Sequence, residues 1–376
     1  MAVNLLHWLN VPCRQEEANL SALAERYASE IAWADWTRVQ LLEGDDLPEL
    51  AAAYAHLRKI ARHRRESFDR AFAEQLVHGK PDESRLLGIE FVLSRCIAKI
   101  ANHGRALLIV VDGMSLSVFL ELAESMYGAG WLSCSLEGES WPVLLAMLPS
   151  TTEASRTSLL SGTPVRGDAA TERAAFSAYP ALLAHSASGK PPRLFHKADL
   201  FDHSGISLAD PLLKALRDSR QRVVGVVLNA VDDHLAKSEQ LRLRWTIEQF
   251  RGLDALLAEA RSSDRTVILT SDHGHILDQD TELCGNSPNA RWREPNLEVR
   301  DGEIELRGPR VLAACGLDRV VLAWNERLRY AQKRAGYHGG CSPAEALVPF
   351  ATFRYTGTVS EPWIQQQIEQ PTWWKN

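Results

Sequence analysis

The sequence predicts an α/β protein, a mainly parallel sheet flanked by helices and preceded by an N-terminal helical subdomain. Four short runs, Ala106 to Val111, Arg222 to Leu228, Arg265 to Thr270 and Arg319 to Ala323, are dense in Val, Ile and Leu. Continuous apolar runs of this length are expected of strands covered on both faces, as in a parallel sheet. Helical patterns such as Leu116 to Met126 and Trp245 to Ala260 fall between them. That alternation is what strand-helix-strand units produce. Before Arg105 such runs are missing and the periodicity is helical.

In chain order, Leu20, Leu23, Tyr27, Ile31 and Ala34 share one helical face, as do Leu47, Leu50, Tyr54 and Leu57. Pro48 behind Asp45 and Asp46 marks an ordinary helix start, with acid near the positive end of the dipole. A third helical pattern runs from Leu86 through Ile89, Leu93, Cys96, Ile97 and Ile100 to Gly104. The expected division is therefore a helical subdomain over 1–104 and an α/β domain over 105–376. The basic run Arg58 to Arg65 reads first as a solvated helix face and second as a contact for a partner or nucleic acid. Ser186 to Pro192 and Cys284 to Pro295 have the Pro, Gly and Asn content of loops near a site.

Bulk composition narrows the class. With 376 residues, 45% apolar and 24% charged, the chain has the make-up of a globular protein larger than one compact domain. Its net charge of -6 gives no general case for nucleic-acid binding. The six cysteines are scattered without a CxxC pair, which fits reduced thiols in a cytosol better than a disulfide framework. No run is long and apolar enough to span a bilayer, and the start lacks a basic, apolar leader. The expectation is a cytoplasmic protein with no membrane partner.

Chemistry collects at the strand ends, where open α/β sheets bind ligands. The first run ends in Asp112-Gly113, the second leads to Asp232, Asp233 and His234, and the third to Asp272, His273, Gly274 and His275. An acid after a strand often only caps the next helix. Three such ends, two with His beside the acid, instead point to a divalent cation held by oxygen and imidazole, zinc or manganese by donor type. Carboxylates gathered this closely repel one another unless cations or protons neutralise them.

Two further segments add to this. Ser150, Thr151, Thr152, Glu153, Ser155 and Arg156 open a helical stretch ending near Gly162. Ser150 and Glu153 have the spacing of a capping box, and Gly162 can stop the helix. A hydroxyl in that first turn also faces the positive end of the helix, where an anion binds. A Thr hydroxyl on a divalent cation loses its proton readily, and the planar fork of Arg156 suits phosphate oxygens. His338 lies among Gly336, Gly339 and Gly340, which let the backbone approach a site closely.

This ordered set (Asp112-Gly, Pro149 to Thr152 leading to Gly162, a strand ending in Asp, Ser271-Asp272-His273-Gly, and Tyr337-His338-Gly-Gly) resembles the alkaline phosphatase superfamily. Within it, the chain is similar to the PglZ family of bacterial BREX phage-defence systems. Leu194 to Asp199, Asn229 to Asp233, Arg291 to Arg293 and Gly336 to Gly340 resemble its type 2 member. That resemblance spans Arg105 to about Phe350; members of the type are usually longer, so a C-terminal portion of one is an expectation.

The resemblance implies an alkaline-phosphatase-like fold and two divalent ions, zinc with manganese or magnesium as alternatives. Asp112, Thr152, Asp272 and His273 would surround one ion, and Asp232 and His338 would help hold the other. The superfamily's usual second-site His falls at Ala236 here, leaving Asp233 or His234 as the substitute ligand. Thr152 would be the nucleophile in phosphoryl transfer, and Ser155 falls where relatives have an Asn that steadies a phosphate oxygen. Arg156, with His275 and Lys197, would grip the oxygens that do not react. The implied activity is a metal-dependent phosphatase or phosphodiesterase acting on a phosphate ester, nucleotide and nucleic acid included, in antiviral defence. The implied partners are a methyltransferase or ATPase of the same system. A metal-binding adaptor of that complex with little catalysis is the alternative.

Overall fold

The apolar runs do build one sheet, with an antiparallel seam that the runs alone do not reveal. Residues 1–12, 19–78, 82–139, 141–231 and 244–374 are described by a computed structural model. The main sheet comprises β1 (Leu87–Gly88), β2 (Arg105–Val111), β3 (Trp131–Leu136), β4 (Val143–Leu145), β5 (Arg193–Phe195), β6 (Val223–Leu228), β7 (Arg265–Thr270), β8 (Leu347–Tyr355) and β9 (Trp363–Gln365). Its order is β1-β4-β8-β7-β2-β6-β5, with β3 also on β8 and β9 on β3. β7, β2, β6 and β5 run parallel, and β8 runs antiparallel to β7, β4 and β3. Every residue of β6 is buried, which accounts for its unbroken apolar character; β7 is buried too, and its Arg265 and Thr270 side chains donate to backbone carbonyls.

Two sequence expectations need correction. Arg319–Ala323 is a strand, but it lies between Trp292–Arg293 and Glu303–Arg307 in a separate antiparallel sheet. It is apolar because Val320 to Ala323 are buried in that small lobe, a signal that mimics a central parallel strand. The stretch Cys284 to Pro295, expected as loop, supplies one strand of the same lobe.

Helices form over Leu20–Arg26, Ala32–Gln40 and Pro48–His78 as the periodicity predicts, but the third pattern is helical only from Ile89, because Leu87–Gly88 pairs with β4 as strand β1. Asn19 caps the first by accepting the Ala22 N–H at 2.9 Å. Their apolar faces are not separate from the rest: Trp8, Leu23, Tyr27 and Trp36 join Phe119, Leu122 and Met126 in one hydrophobic cluster.

The basic run is largely a set of internal ties, not a solvated face. Arg62 donates to the Gln279 carbonyl at 2.7 Å, and Arg64 to the Leu9 carbonyl at 2.7 Å. Arg65 is buried and bonds Asp35 and, at 2.9 Å, Asp69. Arg38 completes the network with Asp35 at 2.9 Å and Glu326 at 2.8 Å. Burial alone would raise the Glu326 pKa; Arg38 and Arg65 instead pull it from 4.5 to about 2. A depressed carboxylate contributes stability that is complete above its unfolded value and lost as pH falls through the folded one. Glu326→Gln should therefore cost about 2 kcal/mol near pH 7, with the deficit shrinking as pH drops below 4.5 toward 2. Urea midpoints against pH check this; a deficit equal at pH 3 and pH 7 would sink it.

Candidate active site

β6, β2 and β7 are neighbours, so their carboxyl ends lie level, with Val111 opposite Leu228 and Val110 opposite Thr270. The residues just beyond each strand are therefore brought to one place. Asp112 succeeds β2 and is 1% exposed; Asp272 and His273 lie just past β7 and are fully buried. The Gly113 N–H donates to Asp272 Oδ1 at 3.1 Å, and the Met114 N–H to Ser271 Oγ at 2.9 Å, locking the two strand ends together. Gly113 has φ of 76°, a turn that a side chain would strain.

Thr152 is the first residue of the Thr152–Ser161 helix, whose amino end faces this corner. Its Oγ1 lies 2.9 Å from His273 Nε2 and 3.3 Å from Asp112 Oδ1. The expected capping box is not formed. Thr151 occupies the N-cap without a side-chain bond, and Glu153 pairs with Arg166. Ser150 instead ties in the His338 loop, donating to the Gly340 carbonyl at 2.8 Å and accepting the Gly339 N–H at 3.1 Å. His338 in turn stacks on His273, with ring centroids 4.2 Å apart and planes 14° from parallel. Gly162 does end the helix, at φ 67°.

One oxygen, one further carboxylate oxygen and one imidazole nitrogen, from Asp112, Asp272 and His273, all lie within 4.8 Å of one another. This donor set fits a divalent cation. The His273 Nδ1 is 2.9 Å from the Gly274 carbonyl, which can only accept, so Nδ1 carries the proton and Nε2 offers its lone pair to the cluster. Two buried carboxylates also demand positive charge, part of which Arg156 supplies. Arg156 donates to Asp112 Oδ2 at 2.6 Å and to Glu172 at 3.1 Å. Burial would lower its pKa, but Asp112, Asp272 and Glu172 hold it above the ordinary guanidinium value.

The structure thus brings together Asp112, Thr152, Arg156, Asp272, His273 and His338. Of the other expected residues that are described, Ser155 and His275 have bonds of their own outside this cluster. The Ser155 hydroxyl is buried and accepts the Met147 N–H at 2.9 Å, because the helix turns it toward the core. His275 Nδ1 lies 2.7 Å from the Gly113 carbonyl, and the residue lines a cavity of about 40 Å³ with Asp35, Arg38 and Glu326. Lys197 is exposed in the short turn Lys197–Asp199. Asp232, Asp233 and His234 lie outside the described residues.

Three contributors were not anticipated. Asn229 donates to Asp112 Oδ2 at 2.6 Å, from the residue directly after β6. Strand-end position was a usable signal for it, but the acids just beyond drew the expectation. Glu172 and His196, 2.5 Å apart, back Arg156 from behind. Burial opposes the charge on Glu172, yet His196 and Arg156 hold its pKa below 4.5. Nothing in the sequence pattern ties either residue to the site.

Comparison with known proteins agrees with this arrangement at the level of family. The chain spans 92% of the phosphonoacetate hydrolase of Sinorhizobium meliloti 1021, with 69% of its own residues, 14% identity and a TM-score of 0.41. For human ectonucleotide pyrophosphatase/phosphodiesterase 5 the values are 89%, 67%, 10% and 0.44. For the murine form they are 87%, 66%, 9% and 0.40. No curated protein matches the chain. The profile described as the BREX system PglZ alkaline phosphatase-like domain matches residues 92–287, just over half of the 376 residues. With that match added to a mainly parallel sheet whose strand ends gather Asp112, Asp272 and His273, the chain belongs to the PglZ family.

Proposed function

We propose that this chain is a metal-dependent phosphatase or phosphodiesterase that uses Thr152 as nucleophile and serves a bacterial BREX defence system from the cytoplasm. The observation that carries the reading is the Thr152 hydroxyl at a helix amino end, 2.9 Å from His273 Nε2 and 3.3 Å from Asp112. Asp112, Thr152, Asp272 and His273 would hold one divalent ion, and His338 with Asp232 and either Asp233 or His234 the second. Zinc is the first expectation, manganese or magnesium the next. Such ions, when bound, supply charge that polarises phosphoryl oxygens and lowers the pKa of neighbouring hydroxyls.

The protein's own groups do the rest. The Thr152 oxygen forms a bond to phosphorus as the ester oxygen leaves with a proton. Water oxygen then bonds to phosphorus as the P–O bond to Thr152 breaks, and the Thr152 oxygen takes a proton from that water, releasing phosphate or its monoester and restoring the hydroxyl. The amino end of the Thr152–Ser161 helix favours the anionic phosphoryl group while it is held. Arg156 sits one helical turn beyond Thr152 and orients the oxygens that do not react. Ser155 and His275 have no part in this reading, and Lys197 is kept as a grip on oxygens that do not react. Residues 1–104 would be a mainly helical subdomain on which this site is mounted, lending β1 to the main sheet, and a methyltransferase or ATPase of the system is the proposed partner.

Purified protein supplied with zinc or manganese should hydrolyse p-nitrophenyl phosphate or its bis-ester. A chelator should reduce the rate by roughly a hundredfold or more, and returned metal should restore it. One observation favours the adaptor reading instead: Arg156 and Asn229 already occupy Asp112 Oδ2. Protein that takes up metal, leaves both esters intact and still binds a partner would establish that alternative.

A further inference from the structure

We infer that the buried Arg291–Glu345 pair is the positioning element of both histidine-bearing loops, fixing His273 and His338 against each other. The inference rests on the proposed metal site only for what the histidines do; the positioning itself stands on contacts. Both side chains are fully buried. Arg291 meets the Glu345 carboxylate as a fork, Nε to Oε1 at 3.2 Å and Nη2 to Oε2 at 3.0 Å. Its far end is anchored on carbonyls of the small lobe, those of Asn325 at 2.8 Å, Ala323 at 3.4 Å and Leu328.

Glu345 then touches both loops. Its backbone carbonyl accepts the Gly274 N–H at 2.9 Å, directly after His273. Its carboxylate accepts the Gly340 N–H at 2.9 Å, two residues after His338, and the Ser342 hydroxyl at 2.7 Å. Glycine is required at both contacts. A Cβ on Gly274 would lie 1.9 Å from the Ala344 carbonyl oxygen. One on Gly340 would lie 2.5 Å from the Ala323 carbonyl oxygen and 2.6 Å from Glu345 Oε2. Glu345 thus touches both loops whose imidazoles stack at 4.2 Å, with Ser150 as a second tie on the His338 loop. An apolar pair of similar volume could stabilise the core equally well. The charged fork instead holds in place both the carboxylate that receives the Gly340 amide and the backbone carbonyl that receives the Gly274 amide.

Glu345→Gln keeps the volume and removes the charge. Amide hydrogen exchange should accelerate tenfold or more over 271–277 and 336–342, while 105–111 and 223–228 keep the wild-type rates. Zinc affinity should fall by roughly 10–100-fold, the range for a lost outer partner of a metal ligand. Arg291→Lys keeps charge without the fork and should loosen the same two loops. If Glu345→Gln does not fold, Ser342→Ala removes a single bond to the carboxylate and should loosen the same loops by less. Unchanged exchange in both loops, or equal acceleration across the whole sheet, would overturn the inference. Wild-type protein that takes up no zinc would defeat the proposed function, while the exchange comparison would still decide the positioning role.

Discussion

Thr152→Ala should lose phosphate-ester hydrolysis by roughly three orders of magnitude or more, the usual scale for removing a nucleophile whose partners act as a unit. The fold should survive, because Thr152 is partly exposed and makes no cap bond for its helix. Zinc uptake should weaken less than activity, since Asp112, Asp272 and His273 keep their donor atoms. Thr152→Ser should retain a measurable fraction, because the oxygen stays and only a methyl is lost. Rates for the three proteins at matched zinc loading decide the matter. Equal turnover in wild type and Thr152→Ala would remove Thr152 from the chemistry.

Gly274→Ala should damage the protein more broadly for so small a change. The new methyl would sit 1.9 Å from the Ala344 carbonyl oxygen, a backbone atom that no rotamer change can move aside. Either the 271–277 loop or the short helix Pro343–Ala346 just before β8 must shift. Overpacking of this kind costs about 3 kcal/mol, the upper part of its usual range. The shift also drags His273, so zinc binding should fall with stability. Urea unfolding together with zinc titration checks both, and a variant as stable as wild type would contradict the packing.

Much of the site is legible in the amino-acid sequence because strand ends are where the chemistry sits. Asp112, Asp272 and His273 come after apolar runs, and Thr152 and His338 lie in short glycine- or hydroxyl-rich segments. Sequence alone does not supply which strands are neighbours, and neighbourhood decides which side chains meet. β8 went unread because Pro349 and Thr352 interrupt its apolar run, yet the Pro349 carbonyl still accepts the Thr270 hydroxyl at 2.7 Å. Glu172, His196 and Glu345 were hidden because their partners are distant in sequence. The basic run misled for the opposite reason. Its charges looked solvated, but the acids and carbonyls that receive them come from segments such as Asp35 and Gln279. Ser155 shows the limit of transfer by resemblance, since its helical phase turns it to Met147.

The seam strand also sets a timetable. Among the described residues, β1, β4, β3 and β9 connect to the parallel block of β7, β2, β6 and β5 only through β8. A ribosome delivers the chain from its amino end, so the parallel block can exist for a time with an open edge at β7, while β3 has no sheet partner until β8 is made. The residues that order the histidine loops, Glu345 and Gly340, are made just before the strand that closes that edge. Assembly of the site and closure of the sheet are therefore one late event in the life of the chain, and most of its length must wait for that event unfinished.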